Sequence, residues 1–467
     1  MINQYIKYPE LTEQTSQVKF DKENHRKIAN WSSYHEGNFF IFTLFLFYIV
    51  YWYLQGGVRF PFLGAIRFEF VLGAMLSVFA ILNYFSNSNR KKSGIGIWVI
   101  FLFIIMMVMT VFSFDPLVSY NIFIDRVVKF ALLGFFIAAF VTSPRRLGFF
   151  IAAFMCACLK MGQEGLVGNI TGGLIWQNQE IMRLHGATPN YEHPNSFAGM
   201  ALGCLPFVLY FYKIVPRYLR IILLIQFGLM LHIIIFTGSR TGYFGLIGGA
   251  LFFLWQAQNR KKVLLIIFFA VLIIGPFIPE QYIKRAQTLT PEQEGGEQSG
   301  IFLRQQIQRD ALHIFLQNPL GVGVSAFPSV RKHVFGRSQD THNLYLEIAT
   351  NLGIEGLIIF AGFIFSLIRI LLKLKENISN QIEQINKKLL FTEIDSYPDY
   401  IASHLYDLQR MLAAIKSVYL FIIARLFLGV FGHDLYEIYW WFALGTMIAV
   451  WNINIVSKRR TNMLINI

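Results

Sequence analysis

The sequence predicts an all-α, polytopic integral membrane protein. Of its 467 residues, 55% are hydrophobic and only 15% are charged, whereas soluble proteins carry roughly 25% charged residues. Many apolar runs have the ~17–25 residues that a helix needs to cross a hydrocarbon core of ~30 Å. Basic residues gather in alternate connections between these runs. Together these features exclude a disordered chain, a disulfide scaffold and a soluble two-domain enzyme.

The apolar runs predict about twelve membrane spans after a polar tail at residues 1–38. Nine spans fill residues 39–279, and three more lie within 343–467. The predicted spans are 39–54, 60–84, 94–113, 120–141, 147–165, 195–213, 218–236, 242–257, 263–279, 343–371, 411–431 and 436–455.

Charge predicts the orientation. The chain has 41 Lys and Arg residues and a net charge of +14. Most of the basic residues in connections lie in the tail and in every second loop, while the other short loops hold only Arg59, Arg183 and Arg240. Cytoplasmic loops carry such an excess, so we expect both termini in the cytoplasm. This bias explains the positive charge without a nucleic-acid partner.

Two long connections differ in character. The external one, residues 280–342, begins with a polar segment at 287–300 that we expect to be mobile. It continues with Phe302–Gln317, whose apolar spacing predicts an amphipathic helix at the membrane surface, ended by the Asn318-Pro319 pair. The cytoplasmic connector at 372–410 is polar and is expected to be helical.

Several basic residues fall inside predicted spans, toward the external side. A charge at a helix centre costs roughly 2.5–3.5 kcal/mol, so such residues suggest function. Neighbouring acids explain part of the set: Arg67 has Glu69, Arg126 has Asp125, and Lys160 has Glu164. Lys129 shares a helix face with Arg126, and Arg425 has His433 and Asp434 only beyond its helix. The excess of positive charge suggests an anion such as a lipid-linked diphosphate, because Arg and Lys both bind phosphate.

Two motifs lie at the predicted external face. Ser239-Arg240-Thr241-Gly242 joins two spans. His342-Asn343, followed after nine residues by Gly353-Ile354-Glu355-Gly356, opens the tenth span. With the Arg183–Ala198 stretch and its Pro-Asn pairs, these motifs resemble the bacterial O-antigen ligase / O-antigen polymerase family of membrane glycosyltransferases, over about residues 183–372.

The resemblance implies a chemistry and a location. The donor would be a glycan on undecaprenyl diphosphate, and the acceptor a hydroxyl of a second glycan or a lipid core. Transfer would occur at the outer face of the bacterial cytoplasmic (inner) membrane during surface polysaccharide synthesis, whether of O-antigen, exopolysaccharide or capsule. It would need no metal and no cofactor. Other polysaccharide assembly proteins are the partners that the resemblance suggests.

The family pattern assigns roles to residues. Its essential His falls on His342 and its loop arginine on Arg240, and these become the expected catalytic residues. A neutral imidazole with pKa ~6.5 accepts a proton near neutral pH, and an arginine neutralises the charge that develops on the diphosphate. Arg304 matches a second essential arginine. The remaining candidates for diphosphate or substrate binding are Arg126, Lys129, Arg67, Arg425 and Asn343. Gly353 and Gly356 are expected to let a neighbouring helix approach closely and to fix His342.

Alternatives remain open at this stage. A flippase or exporter of lipid-linked glycans would also need basic residues at membrane level, but it would not need His342. A metal-dependent transferase of another multispanning class commonly needs acids in its first external loop, and Leu54–Phe60 has none. Within the favoured family, polymerase and ligase are not distinguished.

Overall fold

The computed structural model describes residues 34, 36–86, 91–178, 181–257, 259–287, 300–391 and 399–466, and these are predominantly helical. The predicted all-α class is confirmed apart from one small hairpin. The predicted mobile segment at 287–300 falls mainly on residues 288–299, outside the described ranges, as do residues 1–33 of the predicted tail. The first eight helices are α1 (Phe39–Tyr53), α2 (Gly56–Arg59), α3 (Pro61–Ala65), α4 (Phe68–Ser86), α5 (Gly96–Val111), α6 (Pro116–Ile122), α7 (Lys129–Phe140) and α8 (Pro144–Thr171).

A hairpin that the sequence did not predict follows α8. Strand β1 (Ile175–Asn178) pairs antiparallel with β2 (Ile181–Leu184), with Ile175 opposite Leu184. The chain then continues through a 3₁₀ turn at Pro189–Tyr191. Four helices follow: α9 (Pro194–Phe211), α10 (Arg217–Phe236), α11 (Arg240–Gln256) and α12 (Arg260–Ile274).

The last helices include two very long ones. After α13 (Glu280–Gln287) come α14 (Gly300–Gln317), α15 (Phe327–Phe335), α16 (Leu344–Phe391), α17 (Asp399–Leu428) and α18 (Ile438–Asn466). Helix α14 confirms that Phe302–Gln317 is helical and that the helix ends before Asn318; its position at the membrane surface stays a prediction. Helix α15 was not predicted.

Seven described helices are long and apolar enough to cross a membrane: α4, α8, α9, α10, α16, α17 and α18. The other predicted spans coincide with shorter helices, among which α1 and α5 are apolar. Helices α9, α17 and α18 are the most buried of the seven, whereas α4 is the most exposed. The aromatic rings of Phe154, Phe207 and Phe442 meet in the core at centroid distances of 5.0–5.9 Å.

Two predicted spans are irregular. The predicted span 60–84 is broken at Arg67, whose φ of 50° is left-handed, so α4 begins only at Phe68. Glycines and Pro61 in the preceding stretch disfavour a continuous helix. The predicted span 120–141 contains a π-helical turn at Phe123–Val128, a feature often found at functional sites.

The described parts of the connector, residues 372–391 and 399–410, are helical, as expected, and they prolong the neighbouring helices. Helix α16 continues to Phe391 and α17 begins at Asp399; residues 392–398 lie outside the described part of the chain. Leu374, Ile378 and Ile385 are buried. Their helical spacing gives this polar stretch an apolar face that packs on the other long helices.

Candidate active site

His342 lies at a strained turn just before α16. Its backbone φ is 48°, in a region that non-glycine residues seldom adopt. Asn343 caps α16, because its side-chain oxygen accepts hydrogen bonds from the Tyr345 and Leu346 amides at 3.0 Å each. Its side-chain nitrogen donates to the Val430 carbonyl at 3.0 Å. The structure thus gives Asn343, a predicted substrate ligand, a clear role in holding the His342 turn.

His342 belongs to a cluster of imidazole and guanidinium groups. Its ring packs edge-on against that of His433, with centroids 5.2 Å apart. The Nε2 atom of His433 lies 3.9 Å from the Asp340 carboxylate. Arg304 of α14 and His193, which precedes α9, interact electrostatically with His342. The structure therefore brings together His342 and Arg304, two residues that the sequence predicted, with two histidines that it did not.

The environment keeps the His342 imidazole neutral. Burial is the largest cause that lowers the pKa of His342 to about 4, and the neighbouring His433, Arg304 and His193 lower it further. Burial and the neighbouring Arg183 also lower the pKa of His193. Because desolvation and like charge both disfavour a protonated imidazole, His342 is unprotonated near neutral pH and is able to accept a proton.

Arg304 is positioned by a packed pair of helices, the α14–α15 unit (residues 300–335). The Asp310 carboxylate on α14 accepts hydrogen bonds from the Nε and Nη2 atoms of Arg331 on α15, at 2.9 and 2.8 Å. Arg337 also contacts Asp310, at 3.4 Å. Only 1% of Arg331 is exposed, so this is a buried ion cluster. The same unit has a small apolar core, formed by Ile307, Ala311, Ile314, Val322, Ala326, Phe327 and Val330.

The α14–α15 unit docks where α16 is broken. Gly353 has a φ of 72°, which breaks the helix and frees backbone groups on either side. The loop between α14 and α15 forms hydrogen bonds with these groups. Val322 N donates to Thr350 O at 2.8 Å, and Ile354 N donates to Pro319 O at 2.9 Å. A Cβ at Gly353 would lie 2.6 Å from the Pro319 carbonyl oxygen. The expectation that Gly353 admits a neighbouring helix is therefore wrong; it admits the loop that carries the unit.

Arg240 begins α11 beside a buried polar network. Ser239 caps this helix by accepting from Gly242 N at 3.0 Å, and its hydroxyl donates to the Asn195 side chain at 2.8 Å. The same Asn195 oxygen accepts from Arg183 at 2.9 Å, and Arg183 is only 2% exposed. The Ser-Arg-Thr-Gly motif and the Arg183–Ala198 stretch are thus joined through Asn195.

Helix α11 reaches the loop that carries His433. Phe244, one turn after Arg240, stacks on Phe431 with ring centroids 5.1 Å apart and planes at 13°. Phe431 lies two residues before His433. Arg240 and the histidine cluster consequently lie toward the same end of the helical bundle.

Two predicted diphosphate ligands have acidic partners from other helices. Arg126 pairs with Glu437, at the start of α18, rather than with its neighbour Asp125. Lys129 lies 3.4 Å from Glu69 of α4. The expected local compensation is therefore wrong for Arg126, because packing brings in an acid that is 311 residues distant in the sequence.

Of the remaining cations in predicted spans, one has its expected acidic partner and another does not. Lys160 pairs with Glu164 at 3.2 Å, as expected, and Arg59 joins the same carboxylate through two bonds of 2.6 Å. Arg67 is exposed, and its expected partner Glu69 contacts Lys129 instead.

Arg425 is buried beneath the cluster, with 3% exposed. It donates to Gly199 O at 2.6 Å, contacts Asp434 at 3.4 Å, and stacks on the Tyr439 ring. These contacts tie α9 to the loop between α17 and α18. They satisfy much of the donor capacity of Arg425 and show how this predicted ligand supports the loop that carries His433.

Sequence reasoning missed His193 and His433 as members of the site. Both lie near the ends of predicted spans, where the sequence marks His433 only as a neighbour of Arg425 beyond its helix and indicates no role for His193. Within the described ranges, no group of three or more His, Cys, Asp or Glu side chains has an arrangement suited to a metal ion. The signal that would have selected these histidines is convergence in space, which a single sequence does not reveal.

Comparison with known families agrees with the resemblance. Residues 225–361 match the family described as O-Antigen ligase. This range includes Arg240, Arg304 and His342. No curated protein matches the chain at a significant level. Together with the apolar helices, the match supports an integral membrane enzyme of polysaccharide assembly.

Proposed function

We propose that this protein is a glycosyltransferase of the O-antigen ligase/polymerase type. It transfers a glycan from an undecaprenyl diphosphate donor to an acceptor hydroxyl at the outer face of the cytoplasmic membrane. In this proposal both termini are cytoplasmic and the His342 end of the bundle faces outward. The O-Antigen ligase match and the helix-rich, apolar chain support this assignment.

The observation that carries the proposal is the His342 imidazole, which packs against His433 and interacts electrostatically with Arg304. Glycosyl transfer requires removal of the acceptor hydroxyl proton and stabilisation of the departing diphosphate. His342 accepts that proton as a general base, a role worth typically 10²–10⁴-fold in rate. Its low pKa makes it a weak base in the free protein. A bound diphosphate beside Arg304 offsets the positive potential there and thus strengthens the base at the moment of reaction.

Arginine side chains stabilise the leaving group. Arg304 lies within the histidine cluster, and Arg240 begins a helix at the same end of the bundle. Guanidinium groups form paired hydrogen bonds with phosphate oxygens, and positive charge aimed at a developing anion lowers the barrier to its departure. We assign this role to Arg240 and Arg304, with Arg126 near the lipid side of the site.

The decisive experiment measures transfer by purified protein in liposomes. The donor is a synthetic undecaprenyl diphosphate glycan, and products are resolved by gel and mass spectrometry. His342→Ala and Arg240→Ala are expected to lower the rate by at least about 100-fold while protein folding and insertion persist. The control His313→Ala removes an exposed imidazole of α14 and should retain activity. Full activity of His342→Ala would remove this residue from the site.

The same variants separate transfer from transport. A flippase or exporter would move the lipid-linked glycan across the bilayer with or without the His342 imidazole, whereas a transferase would lose its product. Complementation then distinguishes the two transferases. Loss of a polymerase leaves single repeat units on the final acceptor, and loss of a ligase leaves long chains on the lipid carrier.

A further inference from the structure

His193 is the N-cap residue of α9, and this position fixes which of its ring nitrogens carries the proton. The Asn195 backbone N–H donates to Nδ1 of His193 at 3.1 Å. In a neutral imidazole one nitrogen accepts a hydrogen bond and the other one carries the proton. Because Nδ1 is the acceptor here, the proton of the neutral His193 ring lies on Nε2, which is therefore a hydrogen-bond donor.

Capping alone does not account for a histidine at this position. Ser, Thr, Asp and Asn are the side chains that cap helices best. An imidazole adds a donor, Nε2–H, which points away from the amide that Nδ1 binds. His193 is exposed, and among the described residues its ring makes no other hydrogen bond. The Nε2–H group is thus available to a ligand.

Positive groups around His193 keep its ring neutral. Partial desolvation and then the positive charge of Arg183, with further contributions from His433 and Arg304, lower the pKa of His193. The ring is therefore unprotonated at Nδ1 near neutral pH and retains a single tautomer. A neutral imidazole of this kind stabilises a developing anion by hydrogen bonding.

His193 also links the histidine cluster to the start of α11. It interacts electrostatically with His342 and Arg304. Two residues after His193, the Asn195 side chain accepts a hydrogen bond from the Ser239 hydroxyl at 2.8 Å, and Ser239 directly precedes Arg240. An anion that binds Arg304 beside the cluster is consequently a neighbour of His193.

We propose that His193 is a further catalytic residue, which donates a hydrogen bond from Nε2–H to an oxygen of the departing diphosphate. The proposal rests on the function proposed above. In the transfer the glycosyl C–O bond breaks and its electron pair stays on the diphosphate. The acceptor oxygen forms the new C–O bond, and its proton goes to His342. His193 keeps its own proton and stabilises the charge on the leaving group.

The test uses two substitutions that separate the ring nitrogens. His193→Asn keeps an acceptor near the position of Nδ1, because the side-chain oxygen of Asn is as many bonds from Cβ, and Asn is a good cap. His193→Gln places an amide N–H near the position of Nε2 for the same reason. Transfer is measured in liposomes with the undecaprenyl diphosphate glycan. The matched control is His313→Asn, which replaces an exposed imidazole of α14.

His193→Asn is expected to lower kcat about 100-fold, as the loss of one donor to a developing anion does, with a smaller change in KM. Hydrogen exchange at the start of α9 should stay unchanged, because the cap persists. His193→Gln should recover at least about tenfold of the lost rate, and His313→Asn should match the unsubstituted protein. Full kcat in His193→Asn, or equal losses in the Asn and Gln variants, would overturn the assignment of Nε2–H.

A spectroscopic measurement tests the donor without transfer. In protein labelled with ¹⁵N-histidine, the signals of His193, assigned by their loss in His193→Asn, should show a proton on Nε2 and none on Nδ1 at neutral pH. Undecaprenyl diphosphate without glycan should shift the Nε2–H signal. A proton on Nδ1, or no shift with saturating lipid, would refute the inference. Absence of transfer with every donor would instead refute the proposed function and leave this readout intact.

Discussion

Asp310→Ala is expected to open the α14–α15 unit and thereby to displace Arg304 and the segment leading to His342. The substitution leaves the guanidinium of Arg331 buried without its carboxylate, which lies 2.8 Å away in the intact protein. Removing one partner of a buried pair costs about 3–5 kcal/mol. Because each 1.4 kcal/mol is a factor of ten, the opening equilibrium of the unit should rise by about a hundredfold to a few thousandfold.

Hydrogen exchange followed by mass spectrometry measures this opening, since local unfolding sets amide protection. Peptides of α14 and α15 should exchange faster in Asp310→Ala, while those of α18 keep their protection and transfer activity falls. The control is Glu383→Ala, which breaks a 2.7 Å pair with Lys387 whose side chains are 61% and 66% exposed. Exposed pairs contribute about 0–1 kcal/mol, so this variant should behave normally. Unchanged protection of α14 in Asp310→Ala would refute the reasoning.

Two further predictions concern the imidazole and the break in α16. With the pKa of His342 lowered to about 4, kcat/KM should fall only as the pH approaches that value. Arg304→Gln removes a positive neighbour, raises the pKa of His342 and should move this acid limb to higher pH, whereas Arg304→Lys should not; an unmoved limb in Arg304→Gln would contradict the electrostatic argument. Gly353→Ala should cost more than about 1 kcal/mol, because its φ of 72° is left-handed and the Pro319 carbonyl is adjacent. Gly249→Ala, with no atom within 4 Å of the added Cβ, should be neutral or slightly stabilising by thermal unfolding, and equal losses would argue against the docked loop.

Local patterns in the sequence determined much of the fold. Long apolar runs fix where helices form, because helix length and apolarity must match the bilayer. The periodicity of Phe302–Gln317 was sufficient to predict α14, and Asn318-Pro319 its end. The spacing of His342 and Gly353 marked a special segment, although it did not show that Gly353 breaks the helix.

Tertiary structure alone decided which side chains meet. Arg126 finds Glu437 rather than Asp125, and His342 finds His433, because helices distant in sequence pack side by side. The pattern along one helix specifies which residues share a face. It does not specify which face of another helix will cover them, so the partners of the charges and the surroundings of His342 emerge only when the bundle is assembled.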